Sequence, residues 1–341
     1  MNSFKVNYLI VNEETKGLVE YFISEWFNNN EYITVLTSGS TGIPKPIQLL
    51  KSKMKDSALM TGHFLNLKER DKALLCLSVN TIAGKMMIVR SIVLKLNLYI
   101  CSPTSDPLNL ISEEIDFIAM VPMQLDNTLN LNSVKLKKIR NVIIGGGIIS
   151  TQIIDKLIAN NITVFHTYGM TETISHIAMR RVGLHSEDFF TAIGLTFFSE
   201  NNGQLIIHSP IIESESITTT DVVQLIDNKH FVFKGRSDFV INSGGVKIQA
   251  EDVEHKIEKL IPYPFFITGL EDPSLGEKVV LLIENKDDIH LNKIDLLELT
   301  SKYECPKEIY FISKFELTEL GKINRLKTIS KINKNTTKII L

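Results

Sequence analysis

The stretch Leu36-Thr37-Ser38-Gly39-Ser40-Thr41-Gly42-Ile43-Pro44-Lys45 concentrates hydroxyls, glycines and a lysine in one short loop. Such a loop can wrap a polyphosphate. Its glycines allow close backbone approach and positive φ, and consecutive N–H groups then form an anion-binding concavity. Thr37, Ser38, Ser40 and Thr41 add side-chain donors, and Lys45 adds a mobile positive charge. The spacing is not that of the Walker loop, G-x-x-x-x-G-K-[ST]. Further along, Tyr168-Gly169-Met170-Thr171-Glu172-Thr173 sets an aromatic ring, hydroxyls and a carboxylate in one short run. Gly145-Gly146-Gly147 closes an apolar stretch, Asp221 follows Thr218-Thr219-Thr220, and Phe233 to Ile248 holds Arg236, Asp238, Gly244 and Gly245. Lys322 sits in Leu320-Gly321-Lys322-Ile323-Asn324-Arg325. Taken singly, these have plainer readings: a capped helix start, a strand-to-helix turn, a strand-initiating Asp, a solvated charged hairpin and a surface lysine.

In this order the motifs resemble the adenylate-forming superfamily of acyl- and aryl-CoA ligases, peptide-synthetase adenylation domains and luciferases. The first loop matches T-S-G-[ST]-T-G-x-P-K-G, with Pro46 where the family has Gly. Tyr168 to Glu172 matches Y-G-x-T-E, and Gly235 onward matches G-R-x-D-x-I-x-x-G-G-x-x-I. The resemblance implies an acid–thiol ligase that uses ATP, Mg²⁺ and CoA. On that basis Thr37, Ser38, Gly39, Ser40, Thr41, Gly42 and Lys45 cradle the β- and γ-phosphates. Tyr168 packs against the adenine, with Gly145 and Gly146 at its border. Thr171 bonds a phosphate oxygen and Glu172 takes the Mg²⁺. Asp221 grips the ribose hydroxyls, although Thr220 stands where the family has Gly. Arg236 bonds ribose or phosphate, Asp238 is the hinge, and Gly244 and Gly245 line the pantetheine channel. Lys322 is the adenylation lysine.

Only about 36 residues precede the phosphate loop, a short start that resembles the o-succinylbenzoate–CoA ligases of menaquinone biosynthesis. Ser78 to Arg90 fills the slot of the family's aromatic-His-x-x-G acyl pocket; the His is absent and Ala83-Gly84 keeps the small-residue end. Lys85 or Arg90 could pair the free succinyl carboxylate of a dianionic aromatic acid. The alternative is an amphipathic helix whose Lys85 and Arg90 snorkel to water. His166 is a minor candidate for contact with the acid. Two other readings stand beside this one. One is a different aryl- or acyl-CoA ligase, or an adenylation enzyme that loads a carrier protein. The other is a nucleotide-binding regulatory protein without chemistry.

The elements that must hold these residues follow from periodicity. Residues 15–28 and 51–66 read as helices, the second with Met54, Ala58, Leu59 and Gly62 on one face, and residues 84–97 as an apolar helix. Tyr32–Leu36 reads as a strand, so the phosphate loop is expected at a strand end, where α/β proteins place ligands. Leu74–Leu77, Leu98–Ile100, Phe117–Met120, Val142–Ile144 and Ile162–Phe165 read as further strands, with a helix over 150–160 capped by Ser150. This alternation predicts an α/β fold with a mostly parallel sheet and flanking helices. Beyond about residue 190, short alternating strands predict an antiparallel β subdomain. Two domains are expected: 1–237 as an AMP-binding domain and 238–341 as a small, mobile α+β domain carrying Lys322.

Bulk properties narrow the function class. The chain has 341 residues, 44% of them hydrophobic, which suits a sizeable core. With 37 Lys+Arg against 39 Asp+Glu the formal charge is −2, so no broad basic surface for nucleic acid is implied. Cys76, Cys101 and Cys305 are far apart and show neither a metal spacing nor a disulfide framework, as in a reducing cytoplasm. No apolar run approaches a membrane span and Met1-Asn2-Ser3-Phe4-Lys5 lacks a signal-peptide core. A cytoplasmic enzyme that does not insert into membranes is expected. Its oligomeric state is not legible.

Overall fold

A computed structural model describes residues 4, 6–36, 46–109, 111–284, 293–317, 323–333 and 336–340. Thr37, Ser38, Gly39, Ser40, Thr41, Gly42, Lys45 and Lys322 lie outside the described residues.

The chain opens with β1 (Val6–Tyr8), α1 (Glu13–Phe27), β2 (Tyr32–Leu36), β3 (Pro46–Leu50) and α2 (Lys51–Phe64). It continues through β4 (Lys72–Leu75), α3 (Ile82–Val93), β5 (Asn97–Ile100) and β6 (Phe117–Met120). Next come α4 (Pro122–Lys137), β7 (Asn141–Ile144), α5 (Thr151–Ala159) and β8 (Thr163–Gly169). The strands β1, β5, β4, β6, β7 and β8 pair in parallel in that order. Successive residues of these strands serve opposite faces. Leu75, Ala119 and Ile143 pack with Phe22, Met54 and Met87 of α1, α2 and α3. Leu74, Ile118 and Ile144 pack with Leu125 and Leu157 of α4 and α5. Each core aromatic or aliphatic side chain buried this way contributes about 1.5–3 kcal/mol.

Three sequence expectations shift here. The strand β2 does not join the parallel sheet; it forms a separate antiparallel pair with β3, Leu36 facing Pro46. Leu36, the last described residue before Thr37, therefore ends a hairpin strand and not a strand of the parallel sheet. Pro46 opens β3, a position where its missing N–H costs little. Leu59 is 52% exposed and stands outside the buried face of α2. The strand expected to end at Phe165 runs on to Gly169, because its second edge gains a partner.

That partner begins the antiparallel half: β9 (His176–Gly183), β10 (Phe190–Ala192), β11 (Phe197–Asn201), β12 (Gln204–His208), β13 (Ile217–Leu225) and β14 (His230–Arg236). These strands extend the same 12-stranded sheet in the order β8-β9-β10-β14-β13-β12-β11. One edge of β8 is thus parallel to β7 and the other antiparallel to β9. The remaining elements are β15 (Val240–Ser243), β16 (Val246–Gln249), α6 (Ala250–Ile257), β17 (Phe265–Asp272), β18 (Gly276–Glu284), α7 (Lys293–Leu299), β19 (Glu308–Ile312), α8 (Arg325–Ile329) and β20 (Lys338–Ile340). They build a second, six-stranded sheet with its own core around Val253, Ile267, Leu281 and Ile309.

Candidate active site

The carboxyl ends of β7 and β8 lie side by side, Ile144 facing His166, and the chain leaves both through glycine. Open sheets bind ligands at such carboxyl ends. From β8 the chain enters a single 3-10 turn, Thr171–Thr173, with Glu172 exposed on it. The turn is closed by an unusual element. Ile174 has φ 64° and ψ −54°, and Ser175 N donates to Thr173 O at 2.6 Å. This is a γ-turn of the rare positive-φ kind, on a buried β-branched residue. Strain of this sort, about 1–3 kcal/mol, persists only where surrounding contacts enforce it. Gly169 is one such condition, since a Cβ there would stand 2.3 Å from Ser175 O.

Tyr168, one residue before that glycine, donates its hydroxyl to Asp221 Oδ2. Asp221 is 8% exposed at its place on β13. Burial raises its pKa above the ordinary carboxylate value even though Tyr168 and Arg236 oppose the shift. Arg236, opposite Asp221 in the β13–β14 register, reaches Asp221 Oδ1 at 3.8 Å and Asp238 Oδ2 at 2.6 Å. The Tyr168 ring is packed edge-on against Phe231 at 5.1 Å and lies 5.8 Å from Phe190. The fold thus brings Tyr168, Asp221, Arg236 and Asp238 into one polar cluster. Gly145 and Gly146 stand at the neighbouring strand end, and Gly244 and Gly245 make a two-residue turn between β15 and β16. Positive φ at both, 57° and 81°, is what that turn requires.

Arg90 occupies a different layer beneath the turn. It is 2% exposed, so it does not snorkel to water as the amphipathic alternative requires. Its Nη2 donates to Ser175 Oγ at 2.6 Å and its Nε to Thr61 Oγ1 at 3.3 Å. Thr61 gives its own proton to Ser57 O at 3.0 Å, so His176 Nε2, 2.8 Å away, must be a donor to Thr61. The remaining nitrogen, His176 Nδ1, faces Ser175 Oγ at 3.4 Å. Arg90, Ser175, His176 and Thr61 thereby close a ring of hydrogen bonds around a neutral imidazole. Burial first, then the Arg90 charge, drives the His176 pKa well down. No Asp or Glu among the described residues pairs with Arg90, and burial alone lowers its pKa, to about 9. Beyond a weak contact to Met87 Sδ, the other N–H groups on Nη1 and Nη2 have no hydrogen-bond partner among the described residues.

Lys85 points elsewhere. Its Nζ lies 4.7 Å from the Phe22 ring centre on α1, in the field of Glu25. Ala83 is exposed and Gly84 buried in the first turn of α3, which Thr81 caps. His166 is bonded on both ring nitrogens, to Gly147 O at 3.0 Å and Arg180 Nε at 3.4 Å. Sequence reasoning missed Thr61, Ser175 and Arg180 as members of this region. For a Mg²⁺ ion, the described residues offer no group of three or more His, Cys, Asp or Glu side chains. A site made of Glu172 and nucleotide phosphates needs none, so the donors present fit that ion.

Comparisons with known proteins point the same way. The sequence model of the AMP-binding enzyme family matches residues 21–200. A 2-succinylbenzoate–CoA ligase of Listeria monocytogenes is 24% identical over 335 residues, covering 89% of this chain and 71% of the relative. An acyl-CoA synthetase (AMP-forming)/AMP-acid ligase II-like protein from Dyadobacter fermentans is 33% identical, with 94% and 95% of the two chains covered and a TM-score of 0.63. The O-succinylbenzoate coenzyme A synthetase of Bacillus subtilis, in complex with ATP and magnesium ion, shares the fold with a TM-score of 0.75. It is 20% identical, with 87% of this chain and 69% of that one covered.

Proposed function

This chain belongs to the AMP-binding enzyme family, and on that premise we propose that it joins an aromatic dicarboxylic acid, o-succinylbenzoate, to CoA at the expense of ATP. The observation that carries the substrate reading is Arg90. A buried guanidinium without a carboxylate partner among the described residues is an uncompensated charge there, and such charges destabilise a fold by several kcal/mol unless something pairs with them. A substrate carboxylate that does not react would supply the missing charge, accepting from the Nη1 and Nη2 hydrogens that Ser175 does not take. The acid's other carboxylate would then face the Thr171–Thr173 turn.

In the first step that carboxylate oxygen attacks the α-phosphorus of ATP and pyrophosphate leaves with the bond electrons. In the second, the CoA sulfur attacks the acyl carbon, the thiol proton is lost to solvent and AMP leaves. Tyr168 and the Gly145–Gly146 turn flank the base. Asp221 accepts from the ribose diol, with Arg236 held beside it. Thr171 and Glu172 face the phosphates, where Mg²⁺ bound through Glu172 would screen their charge. Thr37, Ser38, Gly39, Ser40, Thr41, Gly42 and Lys45 take the distal phosphates and Lys322 the α-phosphate. We read residues 1–237 as the nucleotide-binding domain and 238–341 as the smaller domain. Rotation about Asp238 would exchange Lys322 for the Gly244-Gly245 face between the steps.

The test is AMP release from MgATP with o-succinylbenzoate, benzoate, a medium-chain fatty acid and an amino acid, each with and without CoA. CoA-dependent turnover of o-succinylbenzoate supports the reading. Turnover of another acid alone discards the substrate and keeps the ligase.

A further inference from the structure

We propose that His166 is a positioning residue for the nucleobase pocket: its ring, oriented by Arg180, holds the carbonyl of Gly147 and so fixes the backbone edge that the Gly145–Gly147 turn offers to the base. The inference rests on the ATP-site reading above. An arginine side chain can only donate and a peptide carbonyl can only accept. With Arg180 Nε 3.4 Å from Nδ1 and Gly147 O 3.0 Å from Nε2, a single tautomer satisfies both contacts. Nδ1 accepts from Arg180 and Nε2–H donates to Gly147 O. Burial, then the Arg180 charge, lowers the His166 pKa to about 4, so the ring is neutral at ordinary pH.

The device is anchored on both sides. His166 faces Arg180 in the β8–β9 register, which puts the two side chains on one face of the pair. The Arg180 guanidinium lies 5.1 Å from the centre of Phe190, and Phe190 stacks on Phe231 at 5.4 Å and 19°. Tyr168, two residues along β8, shares that face and also meets Phe190. From the opposite face Thr167 Oγ1 donates to Ile144 O at 3.0 Å, so β8 grips the β7 exit at two points. Backbone groups select a ligand only when held to within about 0.5 Å of the productive place, and a turn of three glycines has no side chains of its own to secure it. With both ring nitrogens engaged, His166 has none left for an acid substrate.

Two variants separate this role from a contact with the acid. In His166→Gln the amide offers an NH2 donor group and an oxygen acceptor and can keep both bonds; His166→Leu keeps neither. Steady-state kinetics with ATP and acid varied in turn, and calorimetric ATP binding, give the readout. His166→Leu is expected to raise the KM and Kd for ATP about 3- to 10-fold, the range set by one lost hydrogen bond, with the acid KM within about twofold of wild type. His166→Gln should remain close to wild type. Arg180→Met approaches from the other end and serves if the leucine variant does not fold. It should raise the ATP KM by about 2- to 5-fold, since the ring loses its orienting donor. Any of three results overturns the proposal: a folded His166→Leu or Arg180→Met with wild-type ATP affinity, a glutamine variant as impaired as leucine, or a rise confined to the acid KM. A wild-type protein that binds no ATP overturns the nucleotide-site reading and this inference with it; failures against a wild type that does bind ATP overturn this inference alone.

Discussion

Arg90 is a buried cation whose proposed role is to pair the second carboxylate of the acid. Replacing whole buried ion pairs with apolar residues of similar volume is often neutral to stabilising by about 1–4 kcal/mol, and a buried charge without a carboxylate partner among the described residues has no pairing energy to lose. Arg90→Met should therefore leave the melting temperature unchanged or raise it, while the KM for a dicarboxylic acid rises about 10- to 100-fold, as loss of a charged hydrogen-bond pair implies. A melting temperature several degrees lower with an unchanged KM would assign Arg90 to stability alone. Glu172 is the opposite case, an exposed carboxylate on a short turn. Glu172→Gln should leave thermal stability within about 0.5 kcal/mol and raise the Mg²⁺ concentration needed for half-maximal turnover. The sequence made Arg90 visible as a cation on an apolar helix. It could not show Thr61 and Ser175, 29 and 85 residues away, because nothing in their own neighbourhoods marks them. His166 was visible as a histidine beside a motif, but its role depended on Arg180 across a strand pair.

At the level of elements, the site is organised by β8, which is parallel on one edge and antiparallel on the other. Its carboxyl end must release the chain into the 3-10 turn and then bring Ser175 back against Gly169. A methyl group at residue 169 would meet Ser175 O at 2.3 Å. Gly169→Ala is accordingly expected to destabilise by about 2–4 kcal/mol, in the upper range for single substitutions, and to lower turnover together with stability. Denaturant midpoints and kcat measured side by side would check both. Helices α1, α2, α3 and α5 and strands β4 to β7 were legible from periodicity, since their buried faces repeat at 3.6 or run continuously apolar. The helix α4 was not, because Asn127, Asn130 and Asn132 interrupt its apolar stripe and Asn132 is non-helical (φ −139°). The pairing of β2 with β3 was hidden for another reason: strand partners are set by tertiary contacts, and a strand followed by a glycine-rich loop looks the same in either sheet.

For the whole molecule, buried titrating groups pull stability in opposite directions with pH. His166 has a folded pKa of about 4 against an ordinary 6.5. The unfolded chain binds more protons between those values, so this contribution grows as pH rises from about 4 to 6.5 and is lost on acidification. Glu254, clamped by Arg325 at 2.8 Å, is pushed the other way: burial raises it from 4.5 to about 7. The folded state then holds the extra proton, and stability falls as pH rises from about 4.5 to 7, by up to about 3 kcal/mol. Glu254→Gln should remove that fall, making unfolding free energy climb more steeply between pH 4.5 and 7 than in wild type. Urea titrations of the two proteins across that range would show it. The central claim is that the enzyme activates an acid whose second carboxylate is read by Arg90. The most direct measurement compares CoA-dependent AMP formation by wild type and Arg90→Met, using o-succinylbenzoate and the monoacid analogue that keeps only the carboxylate to be activated. A loss of about 10- to 100-fold in kcat/KM for the diacid with little change for the monoacid is the predicted result; equal losses on both acids, or none, would contradict it.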